Sequence, residues 1–298
     1  MAFLRNLVPY MRLSVFLSAL SLVALVGLVG CTSGNKIDAN SPKTAYEKGM
    51  SEYEEEDYTE AVKYFQAVFN YGRGNEWAPD AQFQLAMAQR KRDKHLVAAN
   101  EFKRFTQLYR NNAKVPTAEF ERANSYYLRS PNYHLDQTDT KKSIELFQLF
   151  IDRYPNHQRV SEAKTKIDEM QAKLAHKQYD AARLYERREM WQAATQSYRS
   201  LFDQYPETPW ADDALLGALR SYVEYANRSI QRKQAERYQK ALNQYTQLQQ
   251  LFPDSPLLKE AGEHKAEAER KLERVRKRQQ QQQSLAQETG PDELEAEK

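Results

Sequence analysis

Three stretches of this chain repeat one pattern: an aromatic residue, a spacer, an aromatic-proline pair, a polar turn and an alanine. They read LFQLFIDRYPNHQRVSEA (146–163), SYRSLFDQYPETPWADDA (197–214) and QYTQLQQLFPDSPLLKEA (244–261). Two looser copies precede them. From the anchors Phe65, Phe102, Phe147, Tyr198 and Tyr245, sixteen residues lead to Ala81, Ala118, Ala163, Ala214 and Ala261. Four residues before each anchor stands a small one: Ala61, Ala98, Ser143, Ala194 or Ala241. A small residue at i and an aromatic at i+4 share one helix face, so a second helix can approach closely beside the ring. Proline then disfavours a helical residue before it and ends the helix. Repetition of helix, stop, turn and helix predicts an all-α chain. The expected fold is a right-handed α-solenoid of about five helix pairs with an extra C-terminal helix, each pair burying its face against the next.

Composition agrees with helices. Only 9 of 298 residues are glycine, which argues against a loop-rich sandwich or a glycine-dependent nucleotide fold. A formal net charge of +3 gives no reason to expect a nucleic-acid partner.

The first residues read differently. Arg5 and Arg12 precede an uncharged apolar run, 13–29, which ends in small residues at Cys31. A basic start, a short apolar core and small residues at its end mark an export signal. The tetrad Leu28-Val29-Gly30-Cys31 resembles the processing site of bacterial lipoproteins. That resemblance implies cleavage before Cys31 and a covalent lipid on its sulfur, with no other cofactor. With one cysteine in the chain, no intramolecular disulfide can form. The expected organisation is a signal peptide over 1–30, a tether over 31–42, N-terminal repeats over 43–155, C-terminal repeats and an extra helix over 156–275, and a disordered tail over 276–298.

The repeating units resemble tetratricopeptide repeats. Gly49, Asp57-Tyr58, Ala61 and Phe65 follow that family's pattern, as do Ala86, Ala98 and Phe102, and Ala182, Trp191, Ala194 and Tyr198. The small residues are spaced by 37, 45, 51 and 47 positions, and the excess over a short repeat has visible sources. A loop rich in Pro, Asn and Asp spans 129–140, one long helix is expected over 160–190, and an extended helical region over 217–239. The acidic run 54–57 falls where a solvated inter-helix turn belongs.

In tetratricopeptide proteins the first helix of each pair lines the concave face. The register then places Tyr46, Met50 and Tyr53, Phe83, Met87 and Arg90, and Phe120, Asn124 and Tyr127 there. This predicts an aromatic, methionine-bearing groove with a cationic edge, suited to an extended peptide with a free carboxylate. The competing reading makes the same stripe a packed core, and exposure separates the two. Five scattered histidines show no metal-ligand spacing, and no phosphate loop or nucleophile motif occurs. Neither a catalytic residue nor a metal site is expected, and the chain does not read as an enzyme. The basic run 271–278 is either a solvated helix end or a contact for anionic headgroups or an acidic partner.

A lipoprotein site followed closely by five such repeats, Tyr-Pro stops and a long helix into the fourth unit resembles the BamD family, the lipoproteins of the outer-membrane β-barrel assembly machine. The resemblance implies an outer-membrane anchor through the lipid on Cys31 and a periplasmic repeat domain. It also implies N-terminal repeats that bind the C-termini of unfolded outer-membrane proteins. The C-terminal repeats, around 179–220, would then dock on the POTRA domains of a BamA-like barrel protein. A weaker resemblance is to periplasmic adaptors of the CpoB/YbgF type, which act with Tol-Pal or cell-wall machinery.

Overall fold

The computed structural model describes residues 39–288. Cys31 and the expected signal lie outside the described residues, as does the end of the chain beyond Glu288. Eleven α-helices make up the described residues. They are α1 (Pro42–Glu54), α2 (Tyr58–Ala67), α3 (Ala78–Lys91), α4 (His95–Leu108), α5 (Val115–Arg129), α6 (Thr138–Arg153), α7 (Val160–Arg187), α8 (Trp191–Gln204), α9 (Ala211–Asn227), α10 (Gln231–Leu251) and α11 (Leu258–Glu288). Two compact units result, one ending at Ala81 and one beginning at Gln82. The boundary between the N-terminal and C-terminal repeats, 155/156, lies within the second unit, where α7 packs on α6.

In the first unit the Ser41 hydroxyl accepts from the Thr44 amide at 3.1 Å and caps α1, whose first residue is Pro42. Asp57 caps α2 through the Thr59 and Glu60 amides at 3.1 and 3.0 Å. The acidic run 54–57 is exposed, as a solvated turn should be. Gly49 permits the pairing of α1 with α2: a Cβ there would stand 2.7 Å from the ring of Phe65. A one-turn 3-10 helix, Val68–Tyr71, follows α2 and ends at Gly72 with φ of 91°.

The repeat register holds in three dimensions. Phe65, Phe102, Phe147 and Tyr198 have no exposed surface, and neither have the small residues four positions before them. Tyr245 is the exception and is partly open. Burying a ring of this size contributes about 2–3 kcal/mol through the hydrophobic effect alone. In the second unit the core forms local clusters, each shared by neighbouring helices.

The 28-residue α7 explains the longest repeat spacing. Its first half contributes Ala163, Ile167 and Met170 to the cluster around Phe147, while Ala182 joins the cluster around Tyr198. One helix thus serves two repeats with no turn between them. It stops at Arg187, short of the expected 190, because Glu189 adopts the left-handed conformation with φ of 57°. The Met190 amide then bonds the Tyr185 carbonyl at 2.9 Å, closing the helix end. Glu56 and Asp93 make the same left-handed turn in earlier pairs.

Two expected elements differ. The extended helical region expected over 217–239 is two helices, parted at Arg228–Ile230, where α9 ends and α10 begins. The Ser229 hydroxyl there turns back to the Tyr225 carbonyl, taking over a backbone acceptor as the helix stops. The tail expected to be disordered from 276 is helical as far as Glu288, since α11 continues through the glutamine run.

Candidate binding surfaces

In the first unit the α1 stripe is half-open. Tyr46, Met50 and Tyr53 are each partly exposed. The Tyr46 ring lies 6.0 Å from Phe65 and 5.3 Å from Trp77, so its inner edge is packed. Tyr53 meets Tyr58 edge-on at 5.2 Å.

The second unit divides its expected groove residues between surface and core. Phe83 is only 9% exposed and packs on Phe102 and Phe105 at 5.7 and 5.6 Å. Phe120 is fully buried against Phe147 and Phe150, at 5.1 and 5.4 Å. Both are core residues, which corrects their placement in the groove. The cause is the width of the apolar stripe: its centre faces the partner helix, and only its edges reach solvent. Met87, Arg90 and Tyr127 lie on those edges, partly exposed.

Arg90 does not stand open for a carboxylate. Its guanidinium donates to Glu121 Oε2 at 2.5 Å, while Arg159 donates to Glu121 Oε1 at 2.6 Å. Arg159 also lies 3.4 Å over the ring of Phe120 and reaches Glu162 at 2.9 Å. Asn124 donates to Glu121 Oε2, the oxygen Arg90 holds, at 3.2 Å, and its own Oδ1 is buried without a partner among the described residues. Two arginines, one from α3 and one from the residue just before α7, thus converge on one buried acid of α5. Sequence spacing could not show this, because the partners lie 31 and 38 positions away. Beside it, the Tyr127 hydroxyl donates to Glu169 at 2.5 Å, and that bond raises its pKa to about 12.

A second surface was not foreseen residue by residue. Helices α8 and α10 both pack on α9 and leave a channel between them. Two hollows of 510 and 220 Å³ follow one another along it, and a third of 540 Å³, walled by the start of α8 and the end of α9, continues from the second. The first two share Arg199, Tyr222 and Lys240, and the second and third share Gln192, Gln196 and Tyr225. Its walls carry tyrosines, amides and cations together with the acids Asp203, Glu236 and Glu189, and Lys240 pairs with Glu236 at 2.9 Å. At one end Met190 is 48% exposed, and the Arg228 guanidinium sits 5.2 Å from the Trp191 ring. The Trp191 indole N–H is buried with no partner among the described residues. Arg237 covers Tyr225 at 3.6 Å.

Beneath the channel an ion network ties four helices together. Arg220 of α9 makes a forked contact with Glu186 of α7, one arm at 3.0 Å, and reaches Glu260 of α11 at 3.0 Å. Tyr198 of α8 donates to Glu186 at 2.7 Å. Burial pushes the Glu186 carboxyl up, but the bonds from Arg220 and Tyr198 outweigh it and hold the group below its ordinary value. Burial and the same carboxylate push the Tyr198 phenol up.

Among the described residues no helix is long and apolar enough to cross a membrane. Comparison with known proteins matches residues 38–236 to the family model YfiO, outer membrane lipoprotein. The outer membrane protein assembly factor BamD of Rickettsia prowazekii is 29% identical over 217 residues, covering 72% of this chain and 85% of that protein. The protein of the same name from Xylella fastidiosa strain Temecula1 is 25% identical over 265 residues, covering 82% and 85%. Among solved structures, a TPR repeats protein from Bacteroides fragilis has a TM-score of 0.43 at 12% identity, over 78% of this chain and 99% of that one. The family match takes in both units and most of the helices that build these surfaces, and on it the chain belongs to the YfiO family of outer membrane lipoproteins, that of the outer membrane protein assembly factors named BamD.

Proposed function

We propose that this chain is a lipid-anchored scaffold that brings unfolded outer-membrane proteins to the β-barrel assembly machine. Cys31 carries the lipid that holds it to the periplasmic face of the outer membrane. The aromatic face of α1, with Tyr46, Met50 and Tyr53, takes apolar C-terminal side chains of unfolded barrel proteins. In the second unit Met87 and Tyr127 offer a further apolar contact beside the Arg90–Glu121–Arg159 cluster. An incoming carboxylate there would compete with Glu121 for two guanidinium groups. The role is one of binding, with no chemical step.

The POTRA domains of a BamA-like protein dock in the channel between α8 and α10. That channel is the observation that carries the reading. Tyr225 and Tyr222 supply rigid contact area, Gln192, Gln196 and Asn243 can meet backbone groups of a docked segment, Arg199 can receive its acids, and Lys240 can do so in competition with Glu236, its partner at 2.9 Å. The test is co-purification of the native protein with its membrane partners. Arg199→Glu combined with Lys240→Glu should lower recovery of the BamA-like protein roughly tenfold or more, since both charges are exposed and reversed. The melting temperature should stay unchanged. Undiminished recovery would refute docking at this channel.

A further inference from the structure

The last helix extends beyond residues 38–236, which the family model matches, and leaves one face unused by packing. Ala261, Ala268, Leu272 and Val275 are buried in the cluster with α9 and α10. On the opposite side Arg270, Arg274 and Arg278 recur every four residues; Lys277 falls on the same stripe but is paired with Glu273 at its edge, at 2.7 Å. The three arginines are exposed and span about 12 Å of helix. Among the described residues no carboxylate pairs with any of them. Their neighbours differ: Lys271 is held by Glu267 at 2.6 Å, and Arg276 turns to Gln239 of α10 at 3.3 Å.

We infer that this stripe rests on an anionic bilayer surface and binds the phosphates of its headgroups. A specific protein interface needs buried aromatic or apolar anchors inside a polar rim. From Arg270 to Gln283 every exposed side chain is charged or an amide, so the stripe offers charge and hydrogen bonds alone. A straight row of guanidinium groups suits a plane of phosphates, which each can grip in a two-pronged fashion. Such contact needs no pocket and no insertion, and it weakens as salt screens it beyond about 8 Å. Each cation near the surface strengthens partitioning roughly fivefold, so three contribute on the order of a hundredfold. The inference does not depend on a lipid at Cys31.

Flotation of the full chain with two kinds of vesicle tests it: pure phosphatidylcholine, and phosphatidylcholine with added phosphatidylglycerol. Neutral vesicles register whatever the N-terminal segment contributes, and the anionic increment registers the stripe. The wild type should show an increment on the order of a hundredfold at low salt, erased at high salt. The variant Arg270→Gln, Arg274→Gln, Arg278→Gln should lose it, and lysine at the same three positions should keep it. Arg276→Gln, a charge turned toward α10, should change it little. A wild type without an increment, or a glutamine variant that retains it, would overturn the inference. So would polyglutamate binding with no vesicle increment, which would give the stripe to acidic proteins instead.

Discussion

Gly217 of α9 lies directly beneath the ring of Tyr198 of α8: a Cβ added at position 217 would stand 2.5 Å from Tyr198 Cζ. Two helices of adjacent repeats meet at this point because one residue has no side chain. The ring is fully buried, and its hydroxyl is fixed on Glu186, so it cannot swing aside.

Gly217→Ala should therefore destabilise the chain by about 1–3 kcal/mol through overpacking, against the usual helix preference for alanine. Gly262→Ala makes the internal contrast, since nothing lies within 4 Å of a Cβ there. It should stabilise by about 1 kcal/mol. Urea unfolding of the two variants should give opposite signs.

Replacing Phe102 or Phe147 by alanine should cost about 3–5 kcal/mol, the transfer energy of the ring plus a cavity. Both rings are fully buried at equivalent places in successive repeats. Unfolding midpoints no different from wild type would contradict the register on which the fold is built.

Stability should also depend on acid through Glu186. Its folded pKa lies below the ordinary value, because the bonds from Arg220 and Tyr198 outweigh burial. Its contribution is therefore complete above the unfolded glutamate pKa of about 4.3, and it is lost as pH falls through the lower folded value. Glu186→Gln should cost on the order of 2–3 kcal/mol at neutral pH, less than a fully buried pair because Arg220 is partly open. The same variant should lose less stability than wild type when taken into acid. An identical acid profile for both would remove Glu186 from the account.

The left-handed turns offer a stabilising test. Asp93 has φ of 57° at the end of α3, where its amide bonds the Arg90 carbonyl at 3.0 Å. Glycine adopts this conformation without strain, so Asp93→Gly should raise stability by about 0.5–1 kcal/mol. A lower melting temperature would show that the Asp93 side chain matters more than its backbone.

Periodic burial was the legible part of the fold. The small residues at 61, 98, 143 and 194 and the rings four positions on are buried as their spacing requires, because i and i+4 share a face in any helix. The same periodicity could not say where the face ends, and so Phe83 and Phe120 were expected in the groove and lie in the core. The break at Arg228–Ile230 contains neither glycine nor proline; a serine hydroxyl and an exposed isoleucine mark it only in three dimensions. The channel between α8 and α10 was not legible, since Arg199 and Lys240 come together only through the packing of both helices on α9. Cys31 remains a reading from the sequence pattern.

Docking of a POTRA-bearing partner between α8 and α10 is tested most directly by a photo-crosslinking amino acid at position 196, where Gln196 is exposed on the channel wall. Irradiation of intact envelopes should join the chain to a large β-barrel protein with POTRA domains. Crosslinks only to Tol-Pal or cell-wall proteins, or none from this position alongside co-purification of the barrel protein, would contradict the account.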